Sequence, residues 1–312
     1  MYPWGNHRRF NSWSDAIRKR FNTRLQKLSI NAGFTCPNRD GTAGWGGCTF
    51  CNNKGFNPSY CDPGKPIHKQ IDEGLTFIRK RYPRASLFLA YFQAYSNTHA
   101  PLNVLKEVYH EALSHPGIFG LVIGTRPDCV DDEKLDYLAE LSQKHFIKVE
   151  YGVESCYDET LRLVNRGHNF EDSRRAIEAT SARNIQCGIH MIFGLPGESR
   201  EMMLAQAEKI NALPVDTIKF HQLQIVKDTE MAREYLRKPD SFRQFDLEEY
   251  VDFMVAFLER LRPGIAIERF SGEVPPRYIL GKRWANVRSD TVIGMIEQRL
   301  SEKDTFQGRL CV

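Results

Sequence analysis

Strand-like runs and amphipathic helical patterns alternate along most of this chain, and this alternation limits the possible fold more than any other feature of the sequence. Each strand-like run is followed by a helical pattern, so the strands are expected to be parallel and joined by right-handed crossovers. An open doubly wound sheet and a partial barrel both satisfy this order. The strand-like runs span 25–31, 86–92, 119–124, 148–153, 186–193 and 217–222. The helical patterns span 66–81, 101–114, 131–145, 170–183, 199–212, 246–261 and 290–301.

The composition is that of a soluble globular protein with a sizeable core, because 41% of the 312 residues are hydrophobic and 26% are charged. No apolar run approaches the roughly 18 residues that a membrane span needs. The opening residues, MYPWGNHRRF, contain no apolar signal region. A membrane protein is therefore excluded, and a cytoplasmic location is expected. We expect a basic aromatic extension over 1–23, a core over 24–225 and a helical closing segment over 226–312.

Three of the eight cysteines crowd into the loop that leaves the first predicted strand. Cys36, Cys48 and Cys51 follow the spacing C-x11-C-x2-C, which in a long chain without a secretion signal indicates metal rather than disulfides. Three thiolates can hold three irons of a [4Fe–4S] cluster and leave the fourth iron without a protein ligand. The glycines of the loop let the backbone wrap closely around such a cluster. Phe50 is placed to shield the cluster or to pack against a bound cofactor.

Structural zinc is the alternative for this loop. Zinc needs a fourth ligand, which Cys61 or His68 could supply. The lack of a clear fourth partner close to the three cysteines favours the cluster. The position of the cysteine loop agrees with this interpretation, since active sites in parallel α/β folds lie at the carboxyl ends of the strands.

Polar motifs also follow later strands. Residues 91–98 read YFQAYSNT, residues 151–155 read YGVES, residues 163–168 read LVNRGH and residues 188–198 read GIHMIFGLPGE. A carboxylate such as Glu154 suits a ligand with two hydroxyl groups, and a guanidinium such as Arg166 suits a ligand carboxylate.

Together with the cysteine wording CPNRDGT…GGCTFC, these motifs resemble the radical S-adenosylmethionine (SAM) superfamily over roughly residues 24–225. The usual C-x3-C-x2-C spacing is widened here, in a form similar to the YhcC-like branch related to the Elongator catalytic subunit. The resemblance implies a partial (β/α)6 barrel of the TIM type, a [4Fe–4S] cluster on Cys36, Cys48 and Cys51, and SAM as cofactor. It also implies reductive cleavage of SAM to a 5′-deoxyadenosyl radical that abstracts a substrate hydrogen, with an electron donor such as flavodoxin or ferredoxin.

The same resemblance implies roles for single residues. Gln93, Ser96 and Asn97 would hold the SAM amino group, and an ordinary polar loop that caps the next helix is the alternative. Glu154 would accept hydrogen bonds from the ribose hydroxyls. Arg166 would pair with the methionine carboxylate.

Three further positions follow from the fifth and sixth strands. Gly194 lies in a turn that resembles the adenine-supporting turn of the family. His190 stands where related enzymes carry an aspartate that contacts ribose, so it is either a ligand to ribose or substrate, or a buried core histidine. Lys219 would indicate an anionic ligand if it pointed into the barrel, and would only reach solvent if it pointed outward.

The first 30 residues give an indication of the substrate class. They carry a local charge of about +6, although the whole chain carries only +4. Trp4, Phe10 and Trp13 lie among these bases, a combination that RNA-binding proteins use. The alternative is an amphipathic helix that docks Trp13, Ile17 and Phe21 on the barrel. The Elongator resemblance makes tRNA wobble uridine the first substrate candidate. A small metabolite or peptide is the second, and a zinc-stabilised RNA-binding protein without catalysis is the third.

Overall fold

The computed structural model describes residues 1–52, 58–272, 274–284 and 287–311. Within these ranges, seven parallel strands form one sheet whose spatial order follows the chain, and the sheet curls into a half-barrel. The strands are β1 Arg24–Ile30, β2 Ala85–Phe92, β3 Gly120–Thr125, β4 Phe146–Glu154, β5 Gln186–Phe193, β6 Thr217–Gln222 and β7 Ala266–Arg269. The helices are α1 Trp13–Phe21, α2 Ile67–Arg81, α3 Leu102–Ser114, α4 Asp132–Ser142, α5 Asp158–Leu163, α6 Phe170–Ala182, α7 Arg200–Asn211, α8 Glu230–Arg237, α9 Leu247–Arg260 and α10 Ser289–Glu302.

The predicted partial α/β barrel is confirmed, and the structure adds one strand to it. β7 pairs with β6, with Thr217 opposite Ala266 and Ile218 opposite Ile267. Four residues are too few to show a period of two in the sequence, so this strand was not predicted. The segment over 226–312 therefore contributes a strand to the sheet as well as helices. None of the described helices is long and apolar enough to cross a bilayer.

The two faces of the curled sheet carry different kinds of side chain, because successive side chains of a strand point to opposite sides. The outer face packs under the helices, and its members include Leu28, Phe92, Val149, Phe193 and Phe220, all with no exposed surface. The inner face carries polar and charged side chains in the middle of the strands.

Helix α1 closes the amino end of the half-barrel. Ile17 packs against Leu25 and Phe146, which stand at the amino ends of β1 and β4. The Trp13 ring lies over two lysine ammonium groups inside the barrel, 4.9 Å from Lys27 Nζ and 5.0 Å from Lys148 Nζ. This confirms the docked amphipathic helix. The tryptophan that could have stacked on a base instead packs at the end of the barrel opposite to the cysteine loop.

Candidate active site

One cavity of about 250 Å³ opens at the carboxyl ends of the strands and is lined by all three clustered cysteines. The structure thus brings together residues that lie more than 150 positions apart in the sequence. Nine of the residues singled out from the sequence line this cavity: Cys36, Cys48, Phe50, Cys51, Gln93, Glu154, Arg166, His190 and Lys219.

The cysteine loop is tied to the loop that follows α5. Thr49 N donates to Val164 O over 3.0 Å, and Asn165 Nδ2 donates to Gly47 O over 2.8 Å. Gly47 has a φ of +78°, and a Cβ there would lie 2.7 Å from Arg39 Nε, so glycine is required at this turn. Two separate stretches of chain therefore form one wall of the cavity.

Two guanidinium groups lie beside the cysteines. Arg166 Nη1 is 3.4 Å from Cys48 Sγ, and Arg39 Nη2 donates to Cys51 O over 2.9 Å. Burial raises the pKa of the Cys51 thiol, as does the neighbouring Cys48, and the charge of Arg39 opposes both. A positive charge beside a thiol favours the thiolate, which is the form that binds iron.

The two side chains that could complete a zinc site lie elsewhere. Cys61 Sγ donates to Ser29 O over 2.8 Å, and burial raises the pKa of this thiol to about 12. His68 is exposed and its Nδ1 lies 3.0 Å from Glu111 Oε1. In the described part of the chain, no three Cys, His, Asp or Glu side chains converge on the position of a single metal ion. Three thiols spread around one cavity fit a [4Fe–4S] cluster, in which each thiolate binds a different iron.

Glu154 and Arg166 meet at the cavity although they belong to different elements. Glu154 ends β4 at a bulge, in the left-handed region with a φ of +68°, and its Oε1 lies 3.4 Å from Arg166 Nη2. The same Nη2 donates to Gly152 O over 2.5 Å. Burial raises the pKa of Glu154, and the charges of Arg166 and Arg126 oppose this shift. A carboxylate in strained backbone, paired with a buried guanidinium, is typical of a ligand site.

Three predicted residues do not line the cavity. Ser96 Oγ is 2.9 Å from Thr125 Oγ1, and Asn97 Nδ2 donates to Gly124 O over 2.8 Å. Because Gly124 and Thr125 do line the cavity, Ser96 and Asn97 lie behind it and hold its wall. Gly194 has a φ of +95° and donates its N–H to Met203 Sδ over 3.1 Å, so it shapes the turn after β5 without reaching the cavity.

The inner end of the cavity is charged. Glu150 Oε2 lies 2.5 Å from Lys219 Nζ and 3.1 Å from His190 Nε2. Lys219 therefore points into the barrel, and His190 is bonded to a protein carboxylate. Burial lowers the pKa of His190 to about 4, with the charge of Lys219 adding to the shift. Glu150 was not predicted as a site residue. The spacing of two between Lys148 and Glu150, which places both side chains on one face of β4, is the sequence pattern that could have indicated it.

Three lysines and two glutamates form one buried network beneath this end. Lys148 Nζ is 3.0 Å from Glu150 Oε1 and 2.8 Å from Glu268 Oε2, while Lys27 pairs with both glutamates. Burial lowers the pKa of Lys27 to about 7, against the opposing charges of the glutamates. The network spans strands β1, β4, β6 and β7, so no local sequence pattern could predict it.

Comparison with known proteins agrees with this geometry. The radical SAM superfamily profile matches residues 33–210, and that of the radical SAM C-terminal domain matches residues 215–302. The chain is 35% identical to protein YhcC of Escherichia coli K12, covering 92% of this chain and 90% of YhcC. It is 32% identical to YtqA of Bacillus subtilis, covering 99% of this chain and 95% of YtqA.

More distant relatives share part of the chain or the fold. The tRNA uridine(34) acetyltransferase of Methanocaldococcus infernus is 26% identical over 51% of this chain, which spans only 30% of that relative. The solved structure of Elp3 from the same archaeon superposes with a TM-score of 0.65 at 16% identity, over 91% of this chain and 64% of that one. That likeness shows a common fold. By its sequence matches, this chain belongs to the radical SAM superfamily, in a YhcC-like branch related to the Elongator catalytic subunit.

Proposed function

We propose that this protein is an enzyme that holds a [4Fe–4S] cluster on Cys36, Cys48 and Cys51, cleaves SAM reductively and modifies wobble uridine in tRNA. The observation that carries the proposal is the cavity where these three thiols meet the Glu154–Arg166 pair. Cluster and SAM together would supply a one-electron route to abstraction of a substrate hydrogen, and the protein binds, orients and excludes water.

The chain's own residues divide this work along the cavity. Arg166 lies beside Cys48, so it is placed to bind the methionine carboxylate of a SAM molecule that contacts the cluster. Glu154 accepts hydrogen bonds from the ribose hydroxyls. Gln93 lines the cavity and binds the amino group, and Ser96 and Asn97 assist by holding the wall behind it.

The apolar part of the cofactor is expected to meet the apolar part of the cavity. Phe50 and Ile192 line the cavity, and Gly194 supports the turn that follows Ile192. His190 is held by Glu150 and lines the cavity, which favours contact with ribose or substrate over the role of a buried core histidine. Flavodoxin or ferredoxin is the proposed electron donor.

Support for tRNA as substrate comes from relatives. One relative is named tRNA uridine(34) acetyltransferase, and its sequence match covers about half of this chain. Because this chain spans 30% of that relative, the acetyltransferase activity is not carried over. A small metabolite or a peptide is the second substrate candidate.

Anaerobic reconstitution with iron and sulfide, followed by an assay for 5′-deoxyadenosine, tests the cofactor proposal. We expect visible cluster absorbance and 5′-deoxyadenosine formation, both lost in Cys36→Ala, Cys48→Ala and Cys51→Ala. Cys61→Ala is the matched control and keeps both, because Cys61 bonds to Ser29 rather than facing the cavity. Tight zinc binding that requires Cys61, without cluster absorbance, would contradict the proposal.

Nucleoside analysis of bulk tRNA from a deletion strain tests the substrate. A wobble-uridine derivative is expected to change in abundance, and to return with the wild-type gene but not with the Cys48→Ala gene. Unchanged tRNA nucleosides in the deletion strain would favour the metabolite or peptide.

A further inference from the structure

The inner end of the cavity has an excess of positive charge. Lys219, His221 and Arg269 line it from β6 and β7. In the network beneath, both glutamates are already paired with lysines, so neither carboxylate is left to balance Arg269. An anion at this end would supply the missing partner.

Two hydrogen-bond donors at this end are unused. His221 Nε2 is buried and has no hydrogen-bond partner among the described residues. Arg269 is exposed and lines the cavity, and its guanidinium forms no hydrogen bond or ion pair within the described part of the chain. By contrast, His190 Nε2 and Lys219 Nζ are both bonded to Glu150. Donors without a protein partner, facing a cavity, indicate acceptors on a ligand.

The backbone leaves room for the His221 ring. Gly272 approaches so closely that a Cβ there would lie 2.8 Å from His221 Nδ1. Gly272 is itself held by Gln222 Oε1, which accepts from its N–H over 2.9 Å. Burial lowers the pKa of His221 well below its usual value, helped by the neighbouring His190 ring and by the charge of Arg269. His221 is therefore a neutral imidazole that can donate one N–H to a ligand.

We propose that Arg269 and His221, with Lys219 behind them, form a subsite for an anionic group of the substrate, either a carboxylate or a phosphoryl group. This inference rests on the proposed function for the statement that the cavity receives a substrate. The subsite would set specificity by rejecting neutral analogues, because a substrate lacking the anion would leave the donors unpaired. It is separate from the proposed site for the SAM carboxylate, which Arg166 would bind at the cysteine wall.

Ligand-observed NMR titration of the full chain, before and after cluster reconstitution, tests the subsite. The probes are acetate for a carboxylate, methylphosphonate for a phosphoryl group and acetamide as the neutral control. We expect saturable binding of acetate or methylphosphonate but not of acetamide, and the tighter of the two anions identifies the group. Arg269→Gln and His221→Phe should each weaken anion binding about tenfold, since each removes a hydrogen bond to a charged group.

Arg84→Gln is the matched control, because Arg84 is exposed in the turn before β2 and does not line the cavity. Arg269→Gln leaves the buried Lys219–Glu150 pair in place, so it keeps the test open should His221→Phe fail to fold. Equal binding of acetamide and acetate, or equal loss in Arg84→Gln, would overturn the subsite. Loss of SAM affinity in parallel with anion affinity in Arg269→Gln would also overturn it, because the site would then belong to SAM. Anion binding needs no turnover, so its outcome is independent of whether 5′-deoxyadenosine forms.

Discussion

Arg166 Nη1 lies 3.4 Å from Cys48 Sγ, and Arg166 Nη2 lies 3.4 Å from Glu154 Oε1. One guanidinium thus connects the cysteine loop to the end of β4. This relationship joins the two halves of the proposed cofactor site, and it makes Arg166 the residue on which the geometry of both halves depends.

Arg166→Lys is expected to weaken SAM binding by about tenfold or more. The substitution keeps the charge but loses the planar fork that contacts a carboxylate with two parallel hydrogen bonds. Calorimetric titration of SAM into the reconstituted protein measures the effect. Arg162→Lys is the control, since Arg162 is exposed on α5 and pairs with Glu159 of the same helix. Equal SAM affinity in Arg166→Lys and the wild type would contradict the role of this fork.

Gly152→Ala is expected to disturb the same site from the backbone side. A Cβ at Gly152 would lie 2.5 Å from Arg166 Nη2 and 2.5 Å from Glu154 Oε1, so both side chains must move. SAM affinity should fall while cluster absorbance persists. Gly294→Ala is the matched control, because no atom lies within 4 Å of a Cβ at that position in α10, and it should stabilise the fold by about 1 kcal/mol. Unaltered SAM binding in Gly152→Ala would show that the pair tolerates displacement.

Glu198 is expected to make stability fall as pH rises. Burial raises its pKa to about 7, and hydrogen bonds from Ser155, Thr160 and Gln206 only partly oppose this. The folded state therefore holds the proton more tightly than the unfolded state does. The stability associated with this proton is fully present below the ordinary pKa of about 4.3 and is lost by about pH 7, a change on the order of 3 kcal/mol.

Urea unfolding at several pH values, in the wild type and in Glu198→Gln, measures this contribution. The difference in free energy of unfolding between the two proteins should shrink from pH 4.5 to pH 7 and then stay constant. A difference that is independent of pH would mean that Glu198 titrates normally in the folded protein.

Trp13→Ala is expected to open the amino end of the barrel. The ring covers Lys27 and Lys148, so its removal leaves a cavity and admits water to the buried network. Loss of a fully buried aromatic side chain costs about 3 kcal/mol or more, and for the half-buried Trp13 we expect a loss of about 2 kcal/mol. Leu236→Ala, at a side chain that is 69% exposed, should change the free energy of unfolding by less than about 0.5 kcal/mol. Similar losses in both variants would argue against a closing role for α1.

Most of the barrel could be predicted from the sequence because its strands and helices are long and periodic. The bounds of β5 and β6 match the prediction at both ends, since each is a continuous apolar or alternating run. β7 was missed because a four-residue strand depends on its neighbour rather than on its own pattern.

Part of the candidate site could also be predicted, because the fold fixes where the ends of the strands lie. Residues at the carboxyl ends of strands must gather in this fold, so Glu154 and Gln93 could be placed at the cavity. Ser96 and Asn97 turn away because the loop conformation decides which side chains face inward. Glu268 could not be predicted as a partner of Lys148, because their contact requires the registers of several strands at once.

Electron paramagnetic resonance of the reduced, reconstituted protein, recorded with and without SAM, shows whether the three cysteines hold a cluster that SAM contacts. We expect the signal of a reduced [4Fe–4S] cluster that changes when SAM is added. That signal should be absent in Cys48→Ala, and present but unresponsive to moderate SAM concentrations in Arg166→Lys. Tightly bound zinc without a cluster signal, or a cluster signal that SAM leaves unchanged, would contradict a SAM-binding [4Fe–4S] cluster on these cysteines.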